Sequence, residues 1–260
     1  MLRILVAVLL FGGAVQARDA DQMRERHAAL QSRFADSPFG RALHVESSTS
    51  DSRHKGEVYA VIDQPYAVVA AGLSRAANWC AILTLQVNIK RCEAAPAGIA
   101  AHVTRRPRDS VEDAHRIDFQ FQPAAPREDY LRVALRAAEG PVGTHDYEIV
   151  LQAAPLDARR SFLHLSYAYQ LGWMARLAMD AYLYGPGRDK RGFSVEGGPR
   201  GIVERNAMRY YLAVDAFLSA PDLESRLRRW YTETTRYPQL REEVSLEQYV
   251  EMKRRQAARS

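Results

Sequence analysis

Apolar positions in this chain change their period several times, and each change marks an element. Met23, His27, Leu30 and Phe34 recur at steps of four, three and four, which predicts an amphipathic helix over residues 19–36 stopped at Ser37-Pro38. From Arg41 to Asp63 the period falls to two. Leu43 and Val45, then Val58, Ala60 and Ile62, predict a hairpin around the polar SSTSDSRHKG stretch, with Gly56 near its bend. Asp63-Gln64-Pro65 reads as a helix start, followed by Tyr66, Val69, Ala70 and Leu73, and a second short helix presents Trp79, Ile82 and Leu83. Alternating Leu85, Val87 and Ile89 predict a strand ending at Cys92. Further strands are predicted over 99–105, 116–122, 130–137, 147–153 and 161–170, separated by Pro- and Gly-bearing turns, as in an antiparallel meander.

The C-terminal third is helical in pattern. WMARLAMDAYLY begins a helix after Gly172, with Trp173, Met174, Leu177, Ala178 and Ala181 apolar. The longest amphipathic run is 201–220, GIVERNAMRYYLAVDAFLSA, closed by Pro221. At 100° per residue its broad apolar face carries Val203, Ala207, Tyr210, Tyr211, Val214 and Phe217, while Glu204, Arg205, Arg209 and Asp215 fall opposite, as surface charges or as a seam to the following helix, whose Arg226, Arg228 and Arg229 are available partners. Asn206 interrupts the apolar arc. A charged helix over 222–237 and a frayed basic helix capped by Ser245 complete the chain.

This order of elements is that of an α+β helix-grip fold. Over 41–220 it resembles the START-like superfamily of lipid-transfer proteins, polyketide cyclases and pollen-allergen-type proteins. The resemblance implies a curved antiparallel sheet wrapped around a long C-terminal helix, with a hydrophobic cavity between them. The extra helix at 172–184 and the helices after 220 depart from that pattern. The segments WCAILTLQVNIKRC and RGIVERNAMRYYLAVDA also resemble those of exported bacterial proteins without an assigned activity. Four parts result: residues 1–17, 18–38 as an N-terminal helix, 39–220 as the helix-grip domain, and 221–260 as a helical annex.

Composition narrows the setting. Arg3, the apolar run to Val15 and the small residues around Ala17 form a cleavable secretory signal with a cut after Ala17, so a periplasmic or secreted location is expected. In 260 residues, 47% are hydrophobic and 26% charged, ordinary globular values. A net charge of +5 favours anionic partners, and an acidic head on the ligand or peripheral contact with a membrane is compatible with it. Nucleic acid is disfavoured by the export signal. Cys80 and Cys92 suit a disulfide contributing about 3 kcal/mol, against the alternative of two buried thiols.

The candidate chemistry is a binding site. Asn206 and Tyr210 would orient a ligand's polar end, with Val203, Val214, Phe217, Tyr167 and Tyr169 around its apolar body; the competing reading has Asn206 satisfying a strand's backbone. Arg188, Lys190, Arg191 and Arg200, in a Gly-rich loop before a helix N-terminus, are candidate anion ligands, against a merely solvated loop. No metal or cofactor spacing is found among the seven histidines. His164 and Ser166 share one strand face, but no Gly-x-Ser-x-Gly turn exposes a serine. The expectation is therefore a carrier of a hydrophobic, lipid-like ligand. An exported cyclase or hydrolase using the same cavity is the alternative, with a filled-core structural protein behind it.

Overall fold

In the computed structural model, residues 11–258 are described apart from 51, 97, 124–126, 186, 188–190, 196 and 242–243, with only the backbone for 11–18. Most of the candidate signal segment therefore lies outside the described residues. Among the described residues, eight strands form one antiparallel sheet: β1 (Leu43–Ser50), β2 (Arg53–Ile62), β3 (Ile89–Ala95), β4 (Gly98–Val103), β5 (His115–Pro123), β6 (Leu131–Glu139), β7 (Thr144–Pro155) and β8 (Ser161–Leu171). Their spatial order is β1-β2-β8-β7-β6-β5-β4-β3. Only the β2–β8 pairing is non-consecutive, so the chain leaves the β1–β2 hairpin, crosses through two helices, and returns by a meander to close beside β2. The long helix α6 (Gly198–Ser219) lies across β1, β2 and β8, giving the α+β helix-grip architecture expected from the element order.

Period-two patterning produces the sheet. Ile117, Phe119 and Phe121 are buried while His115, Arg116, Asp118, Gln120 and Gln122 are exposed, and β6 and β7 bury Leu131, Val133, Leu135, Ile149 and Leu151 on the same side. On the opposite face, α1 (Phe11–Ala29) and α2 (Gln31–Ala35) bring Ala20, Met23, Leu30 and Phe34 against Tyr59, Tyr130, Ala154 and Phe162 in a separate cluster. His27, assigned to the same apolar stripe, is only half-buried. The crossover helices α3 (Tyr66–Leu73) and α4 (Ala76–Leu83) pack on α6 and the β3–β4 end. Cys80 and Cys92 are bonded, with Cα atoms 5.4 Å apart, and tie α4 to β3.

Several local expectations change. Gly56 is not at the hairpin bend but inside β2, opposite Ser47 and Tyr167. A Cβ there would stand 2.3 Å from the Val203 carbonyl oxygen, so glycine is what lets the α6 backbone lie directly on the sheet. Asp63 does not cap α3; Pro65 occupies that position and Asp63 lies in a bend before it. Leu85 and Val87 are buried in turns rather than a strand, and β3 begins only at Ile89. The exception to amphipathic burial is α5 (Trp173–Tyr184), where Trp173 is 73%, Met174 63% and Leu177 62% exposed.

The polar face of α6 is not solvated. Leu227 and Trp230 of α7 (Leu223–Thr235), with Leu240, join the main core, and Glu204, Arg205 and Asp215 of α6 are buried. Asp215 is held by Arg41 at 3.2 Å and Arg229 at 3.1 Å. α8 (Leu246–Ala257) has a full capping box at Ser245 and Gln248 and is docked, with the Tyr249 hydroxyl and the Lys253 amine donating to carbonyls of Leu85, Gln86 and Ile89. The C-terminal helices are thus packing elements of the grip.

Candidate functional site

Between the sheet and the first half of α6 lies a cavity of about 340 Å³. Its apolar wall is Val87, Val103, Ile117 and Phe119, from the turn before β3 and from β4 and β5. Tyr147 of β7, Tyr167 of β8, and Asn206 and Tyr210 of α6 also line the cavity, with the polar side chains of Gln86, Asn88, Arg105, Arg209 and Arg241. The volume is near the lower end of the range for small-molecule pockets, roughly 300–1,000 Å³.

The tyrosines are set by backbone irregularity. β7 carries one extra residue against β8 between His145 and Glu148, and Asp146 there takes φ +51°. Aspartate tolerates that region better than most residues, and a bulge re-aims its neighbour, here Tyr147. Gly140, at the end of β6, makes room for the ring, since a Cβ would be 2.1 Å from Tyr147 Cε2. The Tyr147 ring stacks on Tyr169 at 5.5 Å and meets Tyr167 edge-on at 6.1 Å, while Tyr167 stacks on Tyr210 at 5.3 Å. Burial pushes the phenols of Tyr147, Tyr167 and Tyr210 up from their usual value, so they are neutral at physiological pH.

Asn206, Tyr210 and Tyr167 therefore line one space. Tyr169 stands behind Tyr147 and Tyr167, outside the lining. Val203, Val214 and Phe217 are also outside it, in the packed core. Val203 is seated over Gly56, and the other two lie on the half of α6 that carries a continuous run of buried residues. A side chain on the apolar arc of this helix meets the cavity only in its first half.

Two of the four proposed loop ligands can be located. Arg188 and Lys190 lie outside the described residues. Arg200 is turned to β1, donating to the Ser47 carbonyl at 2.8 Å and the Ser47 hydroxyl at 3.1 Å, so it fastens the first turn of α6. Glu204 anchors the loop itself: its carboxylate accepts from Phe193 N (2.6 Å), Ser194 N (2.8 Å), Ser47 Oγ (2.6 Å) and Ser194 Oγ. Arg191, midway along the loop, lines a second cleft of about 600 Å³ with Arg205, Asn206, Arg209, Pro238, Gln239 and Arg241. Asn206, Arg209 and Arg241 line both spaces, and Arg105 lines the first.

Sequence reasoning missed Tyr147 and the arginines at 105, 205, 209 and 241. One signal was available. Arg205 and Arg209 are like charges one turn apart beside Asn206 and Tyr210, a pairing that disfavours the helix by a few tenths of a kcal/mol.

His164 and Ser166 lie on the outer face of the sheet, away from this cavity. His164 Nε2 meets Glu57 Oε1 at 2.9 Å, its Nδ1 meets Gln152 Oε1 at 2.8 Å, and its ring stacks on Tyr59 at 4.3 Å. Both ring nitrogens are engaged within the network under α1 and α2. The histidine is thereby a cross-strand tie rather than a base directed at Ser166.

No protein-family model matches the chain, and no curated protein does. Solved structures similar to it include an aromatase/cyclase from Streptomyces, at 15% identity over 72% of this chain and 96% of that one, TM-score 0.39. They also include a START superfamily protein from Mycobacterium smegmatis, at 12% identity, 63% and 99% coverage and TM-score 0.34. A norcoclaurine synthase point mutant from Thalictrum flavum, in complex with a transition state analogue, gives 13% identity, 52% and 86% coverage and TM-score 0.38. These are likenesses of fold. The chemistry of this chain has to be argued from its own residues.

Proposed function

We propose that this chain is an exported carrier that holds a hydrophobic, lipid-like molecule between its sheet and α6. The observation that carries this reading is the cavity of about 340 Å³, where Val87, Val103, Ile117 and Phe119 supply apolar surface among the polar side chains of Asn206, Tyr210, Tyr167, Gln86, Asn88 and the arginines at 105, 209 and 241. Polar groups set beside apolar ones fix a ligand's orientation in a small-molecule site. Phenols, an amide and guanidiniums are donors suited to holding a ligand, and this favours binding over cyclase or hydrolase chemistry in the same space.

Native mass spectrometry of the purified protein tests it. The expected result is a bound mass that organic extraction removes and that Asn206→Trp, filling the cavity, abolishes while the melting temperature is kept. A wild-type spectrum without added mass, together with no uptake of an offered long-chain alcohol, would sink the reading.

Export rests on the N-terminal pattern and is supported by the Cys80–Cys92 bond, since disulfides persist in oxidising compartments. N-terminal sequencing of the mature protein should begin at Arg18; a retained Met1 in the cytoplasmic fraction would refute it. Peripheral membrane contact belongs to the same reading. Trp173, Tyr184, Met174 and Leu177 are all exposed on one side of α5, the aromatic and aliphatic composition of interfacial helices. Vesicle co-sedimentation should be lost in Trp173→Ser/Leu177→Ser, and equal sedimentation of both proteins would exclude this contact.

A further inference from the structure

We propose that Lys90 is a covalent site for carbonyl compounds, its side-chain amine condensing to an imine with an apolar aldehyde held in a groove between β3, the β4–β5 connection and α8. This site lies outside the carrier reading and does not depend on it, although the two spaces adjoin at Pro107.

The chain makes little use of lysine. Lys55, Lys90, Lys190 and Lys253 are its only four among 36 lysines and arginines, and two of them are buried, Lys90 at 6% and Lys253 at 4% exposure. An arginine in either place would be a permanent cation, whereas an amine gives up its proton more readily when desolvated. The backbone aims Lys90. Ile89 pairs with Val103 and Arg91 with His102, so Lys90 is the extra residue of a bulge in β3. A bulge takes a side chain out of the alternation of its strand. Ile89 stays in the main core, while the Lys90 amine reaches Met252 of α8, 3.8 Å from its Sδ, and donates to the Pro107 carbonyl.

Lys90, Pro107 and Met252 all line a groove of about 650 Å³, to which Val111 and Val244 add apolar surface. Lys253, next along α8, donates to the carbonyls of Gln86 and Ile89 at 2.6 and 2.7 Å. The hydrogen-bond partners of both amines are thus uncharged. Burial pulls the Lys90 amine below its usual value against the opposing charge of Asp109, and burial together with the Lys90 charge pulls Lys253 well below its own. A desolvated lysine beside a second amine is the arrangement that activates the nitrogen as a nucleophile. Lys90 lines the groove and Lys253 does not, so only Lys90 has space beside it for the rest of the reacting molecule.

The condensation balances without a further reagent. The lone pair of the neutral Nζ attacks the carbonyl carbon and the C=O π pair moves to oxygen. The two amine hydrogens then leave with that oxygen as water, so a C=N bond replaces the C=O bond and nothing is oxidised or reduced. The apolar side chains of the groove hold the aldehyde's tail.

The test is reductive trapping of the full chain at neutral pH with hexanal and cyanoborohydride, read by peptide mass mapping, with acetaldehyde as the probe that lacks the tail. Cyanoborohydride fixes the imine where it forms, so the label records the site of condensation. Hexanal should label Lys90 about tenfold faster than Lys55, whose amine is ion-paired with Glu57 at 2.7 Å. With acetaldehyde that ratio should fall by about fivefold or more, because the tail no longer buries apolar surface in the groove. Lys90→Arg should lose the fast label and keep the slow one at Lys55, and mapping of wild type reads the site directly even if that variant is unstable. Labelling of Lys90 no faster than Lys55, the same ratio with both aldehydes, or a fast label that persists in Lys90→Arg overturns the proposal. None of these outcomes bears on the carrier reading, which concerns the other cavity.

Discussion

The two halves of α6 follow one amphipathic pattern and end in opposite situations. From Tyr211 to Phe217 every residue is buried, Asp215 included, because α3 and α4 close on one side and α7 on the other. In the first half, Asn206, Arg209 and Tyr210 remain half-buried, facing a space that no side chain fills. The difference lies in the partners and not in the helix. Where the crossover helices reach it, α6 is a core element, and where the β3–β4 end of the sheet diverges from it, a cavity is left. One helix thus supplies both the stability of the grip and the wall of the site, and the two can be separated by substitution.

The largest effect is expected in the packed half. Phe217→Ala removes a buried ring that also lies under the Arg226 guanidinium, 4.2 Å from its centroid, and should cost about 4 kcal/mol. A shift of the urea midpoint measures it. A loss under about 1 kcal/mol, with altered ligand affinity instead, would erase the distinction between the halves and place Phe217 at the site.

Gly56→Ala acts beneath the other half. The new Cβ would meet backbone atoms of Val203 and Glu204 at under 3 Å, and backbone gives way less readily than a side chain. Overpacking of this kind should cost about 3 kcal/mol. Because Val203 lies about one turn before Asn206, lifting α6 from β2 should displace the cavity lining, and ligand binding should fall more than in a variant of equal stability made at Phe217. Binding losses that simply track stability in both variants would mean the halves are one cooperative unit with no separate site.

A titration on the far side of the sheet gives the control that touches neither half. Burial alone would raise the Glu57 carboxyl, but hydrogen bonds from His164 and Lys55 overcome that and hold it down at about 2 against a usual 4.5. Its folded value lies below its unfolded value, so the stabilisation is complete above about pH 4.5 and is lost as pH falls through about 2. The loss should be about 3 kcal/mol, read from urea melts across that window, and Glu57→Gln should flatten the profile. A profile unchanged by Glu57→Gln would remove this carboxylate from the account of acid stability.

These contrasts also explain what could be read from the sequence. Strands such as Ile117–Phe119–Phe121 were legible because each buries one face, and period two records that directly. The element order carried the grip topology, and Asn206 with Tyr210 stood out as polar groups on an apolar arc. The charges opposite them were legible only in part. Asp215 meets Arg229 of α7, the seam that the arginines of the following helix allowed for, whereas Glu204 is covered by the loop at Phe193 and Ser194, and nothing local to α6 announces that cover. Tyr147 depends on a bulge whose existence is a matter of register between two strands. Arg105 and Arg241 come from loops far apart in the chain, so only the assembled fold places them beside Arg209. Periodicity describes which face of an element is apolar, whereas a site depends on what the face meets.

The smallest stability effect is expected at the residue nearest the proposed ligand. Tyr210→Phe keeps the ring that stacks on Tyr167 and removes a hydroxyl at the cavity wall, so folding stability should change by less than about 1 kcal/mol. Affinity for a long-tailed probe such as decan-1-ol should fall by roughly fivefold to tenfold, the loss of one hydrogen bond. Calorimetric titration beside a thermal melt reads both quantities from one preparation. The pairing matters because Phe217→Ala predicts the reverse ratio, a large stability loss with little specific effect on binding by the protein that remains folded. If Tyr210→Phe instead destabilises the protein by several kcal/mol, its hydroxyl is structural, and the first half of α6 is core in the same sense as the second.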